Sequence, residues 1–199
     1  LIESARAEFS EKGSTKASLR KICAGAGVTT GALYFFFKDK EDLFAAIVEQ
    51  PFDELKKLLH GHFAMEKEIP LPEMYEHIDG GHYELSAALI HHLYANYDAF
   101  MLLLTKSQGT RFERCVDETV DMIDKTYRAM AESMARQLPD KQVNPYMLHW
   151  LSHMIIDAFI HLLTHEPNEE KAVRIMSRIM NFYVSSWMCL AFDDITKMT

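Results

Sequence analysis

Two stretches of the chain concentrate side chains that could do intermolecular chemistry. In the first, Thr29, Thr30, Gly31 and Ala32 follow the breaker Gly25-Ala26-Gly27, and Tyr34, Phe35 and Lys40 come shortly after. Small residues with hydroxyls and methyls at the start of a helix suit the base edges of a DNA major groove. A Tyr hydroxyl or a Lys ammonium one turn further on suits a phosphate. In the second, His149/His153 and His161/His165 are spaced i,i+4 with Asp157 between the pairs. His153 and His161 are about 12 Å apart along a helix and cannot share one ion. The pattern therefore predicts a polar stripe, with no metal and no cofactor. No H-E-x-x-H, nucleophile elbow, phosphate loop or dinucleotide glycine fingerprint is present, so no enzyme is predicted.

The first stretch needs short helices to hold it. Ile2, Ala5 and Phe9 recur at helical spacing over residues 1–12, and Gly13 follows as a stop. Ser18 caps a second helix over Leu19–Ala24, and Thr29 caps a third that reaches about Phe36. Two short helices joined by a glycine-containing turn make a helix-turn-helix. Within the third helix, Leu33, Phe36 and Phe37 read as core. Asp39 caps a fourth helix to about Phe63, with Pro51 inside it. Further helices are expected over about 83–96, from a capping box at Thr110-Arg111-Phe112-Glu113 to about Gln137, over 145–165 after Asn144-Pro145, and over 169–192. The fold class is all-α.

The chain has 199 residues and a net charge of -8, so overall basicity does not argue for nucleic acid. The charge is unevenly distributed. Residues 1–50 are balanced, with seven cations and seven anions, whereas 51–199 carry the whole excess. Between 14 and 40 stand Lys16, Arg20, Lys21, Lys38 and Lys40 against Asp39 alone. Three scattered cysteines fit a reducing compartment, and a cytoplasmic location is expected. No long, charge-free apolar run is evident, so no membrane partner is expected. The chain opens on Leu1 without an initiator Met, and residues upstream are expected.

The residues Phe9-x-x-Lys12-Gly13, Leu19-Arg20-Lys21-Ile22 and Ala26-Gly27-Val28-Thr29-Thr30-Gly31-Ala32-Leu33-Tyr34-Phe35-Phe36-Phe37-Lys38-Asp39-Lys40-Glu41-Asp42-Leu43 resemble the TetR family of bacterial transcriptional repressors. The resemblance covers about residues 1–50. It implies an all-helical homodimer that binds a double-stranded operator and is released by a small molecule. It also divides the chain into a DNA-binding domain, 1–50, and a ligand-binding and dimerisation domain, 51–199. DNA contacts are expected from Ser18, Arg20, Lys21, Thr29, Thr30, Gly31, Ala32, Tyr34, Phe35 and Lys40. Ala17, Thr30, Ala32 and Phe35 replace polar residues frequent in the family, and Phe35 and Ala32 could meet thymine methyl groups instead. Those replacements also support a rival reading, a helical ligand- or protein-binding module that has lost operator binding.

All 12 methionines lie after residue 64, among many aromatics, as in adaptable pockets. Tyr94, Phe100, Met101, Leu104, Met122, Tyr127, Trp150 and Met154 are the expected ligand contacts. The last two helices carry apolar residues on more than one face. Leu151, Ile155, Phe159, Leu162, Ile175, Ile179, Tyr183 and Trp187 are expected to form a four-helix dimer interface.

Overall fold

The computed structural model describes residues 1–66 and 81–194, and its architecture is all-α. Helix α1 (Ile2–Lys16) buries Ala5 and Phe9 and breaks its helical path at Gly13, whose φ of 75° suits glycine. Helices α2 (Leu19–Gly25), α3 (Thr30–Phe36) and α4 (Lys40–Glu66) follow. The turn signals at Pro70-Leu71-Pro72 and Gly80 lie outside the described residues. The chain continues through α5 (Gly81–Ala95), α6 (Tyr97–Lys106), α7 (Cys115–Ala135), α8 (Pro145–His165) and α9 (Glu169–Ala191). A short antiparallel ribbon, β1 (Lys141–Val143) and β2 (Phe192–Asp194), had no sequence signal of its own.

Contacts divide the chain into two compact units. The first joins Leu1–Lys56 to Ala95–Cys115. It thus takes in α6 and the following turns, beyond the expected boundary at 50. Here α6 packs on α1, and Phe9 meets Phe44 edge to face at 5.2 Å. Phe112 is buried with its ring 6.2 Å from Phe44 and 6.5 Å from Phe52. Such aromatic pairs add about 0.5–1.5 kcal/mol beyond the area they bury.

The expected helix start at Thr110 is not formed. The Thr110 hydroxyl accepts from Phe112 N, and the Glu113 carboxylate accepts from Gly109 N, so both caps serve a run of turns and α7 begins at Cys115. Gly109 has a φ of 75°, and a Cβ there would come within 2.9 Å of Thr15 Cγ2. The turn thus needs glycine for both conformation and space.

The second unit joins Lys57–Tyr94 to the chain from Val116 onward. Helices α8 and α9 pack together, and Tyr183 Oη donates to Leu151 O at 3.2 Å. Burial raises the Tyr183 phenol far above its ordinary value, so it stays a neutral donor. Tyr127 lies against Phe63, Tyr183 and Trp187. Asn144 joins the ends of α8 and α9: its Oδ1 caps Met147 N at 3.0 Å, and its backbone N donates to Ala191 O at 2.8 Å.

Helix α8 is long and apolar enough to cross a membrane by length and composition alone, and a third of its most apolar stretch is buried within the chain. Leu151, Ile155, Leu162, Tyr183 and Trp187 are buried by the chain's own helices, so they hold α8, α9 and α7 together and are not free for a partner. Phe159, Ile175 and Ile179 keep partial exposure. Tyr146, Trp150 and Phe182 are the large apolar side chains these helices leave exposed.

Candidate nucleic-acid interface

The helix-turn-helix is assembled from side chains that satisfy helix ends. Ser18 Oγ accepts from Lys21 N at 3.5 Å to cap α2, and Glu8 Oε1 accepts from Ser18 N at 3.0 Å. The end of α2 packs closely on α1. Ser4 Oγ donates to Ile22 O at 2.8 Å, and a Cβ on Gly25 would lie 2.5 Å from that hydroxyl oxygen. Gly27 turns the chain with a φ of 66°, and Val28 N donates to Cys23 O at 3.0 Å. Thr29 Oγ1 then accepts from Ala32 N at 3.1 Å and starts α3.

Only Leu33 of α3 is buried, and it fastens the helix to the unit. Thr29, Thr30, Gly31, Ala32, Tyr34 and Phe35 are all exposed. Phe36 corrects the core expectation: it is 68 % exposed, because the short helix turns a single face inward. Phe37 is half-buried. Arg20 and Lys21 are exposed on α2, and Ser18 is half-buried.

The start of α4 is capped reciprocally. Asp39 Oδ1 accepts from Asp42 N at 2.8 Å, and Asp42 Oδ2 accepts from Lys38 N at 3.1 Å. Lys40 has a role that spacing did not suggest. Its ammonium donates to Thr15 O at 2.7 Å and Ala17 O at 3.2 Å, two carbonyls at the end of α1. A cation at a helix C-terminus is favourable. Lys40 therefore clamps α4 to α1, with one N–H left for an outside acceptor.

A second set of contacts escaped sequence reading. Arg111 N donates to Glu41 Oε1 at 2.7 Å, and its guanidinium donates to Glu49 Oε1 at 2.6 Å. The bond to Glu49 is the first cause holding the Arg111 guanidinium above its ordinary value. These bonds fasten the 107–114 turns to α4. The partners stand 62 and 70 positions apart, so no local pattern announces them.

The other candidate residues fall in both units. Phe100, Met101 and Leu104 belong to the first, whereas Tyr94, Met122, Tyr127, Trp150 and Met154 belong to the second. Phe100 and Tyr127 are buried, and Trp150 is exposed. Tyr94 Oη donates to Leu162 O at 3.1 Å and also bonds Glu166 O. The rings of His149 and His153 meet edge to face at 4.7 Å, and those of His161 and His165 stack at 4.4 Å. Among the described residues, no group of three His, Cys, Asp or Glu could hold a metal ion.

Residues 1–47 match the family model for bacterial regulatory proteins of the tetR family. The chain is 54 % identical over 41 residues to the HTH-type transcriptional regulator AcrR of Shigella flexneri, covering 21 % of this chain and 19 % of that protein. It is 40 % identical over 63 residues to the probable acrEF/envCD operon repressor of Escherichia coli K12, covering 31 % and 28 %. The chain thus matches less than a third of the length of these curated relatives. The fold extends further. A TetR-like transcriptional regulator from Rhodococcus sp. RHA1 superposes with a TM-score of 0.62 over 94 % of this chain and 93 % of its own, at 15 % identity. The TetR-type likeness is therefore one of sequence over residues 1–47 and of fold over 94 % of the chain.

Proposed function

We propose that this chain is a sequence-specific DNA-binding transcriptional repressor that acts as a homodimer and leaves its operator when a small molecule binds. The observation that carries this reading is the capped α2–turn–α3 unit. One buried leucine fastens α3, and its remaining side chains are turned outward among cations. A helix held in that way can enter the major groove while Arg20, Lys21 and Tyr34 contact phosphate.

Dimerisation is supported by the apolar surface left on α8 and α9 around Tyr146, Trp150 and Phe182, with Phe159, Ile175 and Ile179 partly exposed beside it. A stable dimer of this kind buries on the order of 2,000 Å² or more. For the ligand, Tyr94, Met122, Tyr127 and Met154 of the second unit are the proposed contacts. Helix α4 has residues in both units and is one of the three places where the chain passes between them, so it is a proposed route by which a bound molecule would act on the DNA-binding unit. A ligand releases DNA only if it prefers the non-binding state.

The test is a salt titration of purified protein on genomic DNA fragments. A few fragments should bind far more tightly than the rest, with log K falling steeply as log salt rises. Equal, weak binding to every fragment would show that specific recognition is absent.

A further inference from the structure

The outward face of α3 is more apolar than phosphate binding requires. At about 100° per residue, Gly31 and Phe35 lie opposite the buried Leu33. Phe35 is 83 % exposed and Phe36 68 %, and their rings meet edge to face at 5.1 Å. Nothing crowds Gly31 on that face: a Cβ there would meet only Thr29 Oγ1, at 3.8 Å. Val28 is exposed too, and with Ala32 and Phe36 it walls an apolar groove of about 430 Å³ beside the start of α1. The apolar surface is thus continuous across the helix. A contiguous exposed cluster of this kind marks a contact surface.

Its surroundings identify the partner. Lys16, Arg20, Lys21 and Lys38 are exposed on the segments that flank the cluster in sequence, where Asp39 is the one acidic residue between positions 14 and 40, and Glu3 is the one carboxylate lining the groove. The flanks therefore suit a polyanion, while the centre suits an apolar feature of it. In the major groove of duplex DNA, the apolar feature is the C5-methyl group of thymine. We infer that Phe35 and Phe36 select operators by their pyrimidine C5-methyl groups. Thymine is then read by its methyl and not through a hydrogen bond to O4. This inference rests on the DNA-binding reading above and names what that site recognises.

The experiment starts by selecting tight binders from a random duplex pool. The enriched sequence is then resynthesised with each thymine in turn replaced by uracil, which keeps base pairing and removes only the methyl. Dissociation constants are read by fluorescence anisotropy for the intact chain and for Phe35→Ala, whose folding is checked by circular dichroism. At contacted positions uracil should weaken binding about fourfold per methyl, the equivalent of one buried methyl group. 5-Methylcytosine should be preferred over cytosine where pairing allows. Phe35→Ala should bind thymine and uracil versions equally at the positions it contacts. If the chain selects a sequence but binds the uracil version as tightly at every position, this inference is wrong and the DNA-binding reading stands. If no sequence is enriched, the DNA-binding reading fails and takes the inference with it.

Discussion

Replacing Lys40 by Met would separate a structural role from a DNA contact. The methionine keeps most of the apolar stem and removes the ammonium. That ammonium makes two hydrogen bonds, to Thr15 O at 2.7 Å and Ala17 O at 3.2 Å. A hydrogen bond involving a charged partner contributes about 1.5–3 kcal/mol when sheltered, and much less at the surface. Lys40 is half-buried, and one of its two bonds lies at the surface. The pair together should therefore contribute about 1–2 kcal/mol, including the favourable placement of a cation at the end of α1. Trp150 and Trp187 both lie in the second unit, so tryptophan fluorescence does not monitor this region. Amide hydrogen exchange of peptides spanning residues 13–40 does. Amides at the end of α1 and in α2 should exchange about 5–30 times faster in Lys40→Met, with peptides of α8 and α9 unchanged. Unaltered exchange in residues 13–40 together with weakened DNA binding would refute the clamp and return Lys40 to a pure phosphate contact.

Thr29→Ala removes the cap of the seven-residue helix α3 and should cost about 1 kcal/mol, with lower DNA affinity, read by thermal melting and anisotropy. Phe112→Ala should cost about 3–5 kcal/mol in urea unfolding followed by circular dichroism, because its ring is buried between Phe44 and Phe52. Changing both Trp150 and Phe182 to Glu should convert the proposed dimer to a monomer by light scattering at micromolar concentration, since a charge at each exposed position opposes apolar contact. The Lys171 ammonium, and after it Asn168 N, hold the Glu166 carboxyl below its ordinary value near 4.5. A carboxyl lowered in the folded state stabilises above its unfolded value, and that contribution fades as pH falls through the folded value. Glu166→Gln should therefore melt below the parent at pH 7, and the gap should close in acid.

The helix-turn-helix was legible because it is built from local signals. Ser18, Thr29 and Asp39 cap helices within three residues of themselves, and Gly27 supplies a turn of positive φ. Side-chain destinations set by tertiary packing were not legible. Phe36 reads as core by residue type, yet α3 has one inward face and Leu33 fills it. The acceptors of Lys40 are backbone carbonyls 23 and 25 residues away, which no side-chain pattern marks. The box at Thr110 failed for a related reason: its two capping side chains are drawn to Phe112 N and Gly109 N by a turn that Gly109 permits. On α8 and α9 apolar residues recur on more than one face. Sequence did not show which stripe faces inward, and Leu151, Ile155 and Tyr183 proved to be the chain's own core.

The most direct test of the central claim is a hydroxyl-radical footprint of the purified chain on a fragment that it binds tightly. The account predicts two related patches of protection with twofold symmetry, centred about one helical turn of DNA apart or a further whole number of turns. The protection should be lost together in Tyr34→Ala, whose hydroxyl is exposed on α3. Uniform protection along the fragment, or none at concentrations that shift it, would contradict the claim that α3 reads an operator.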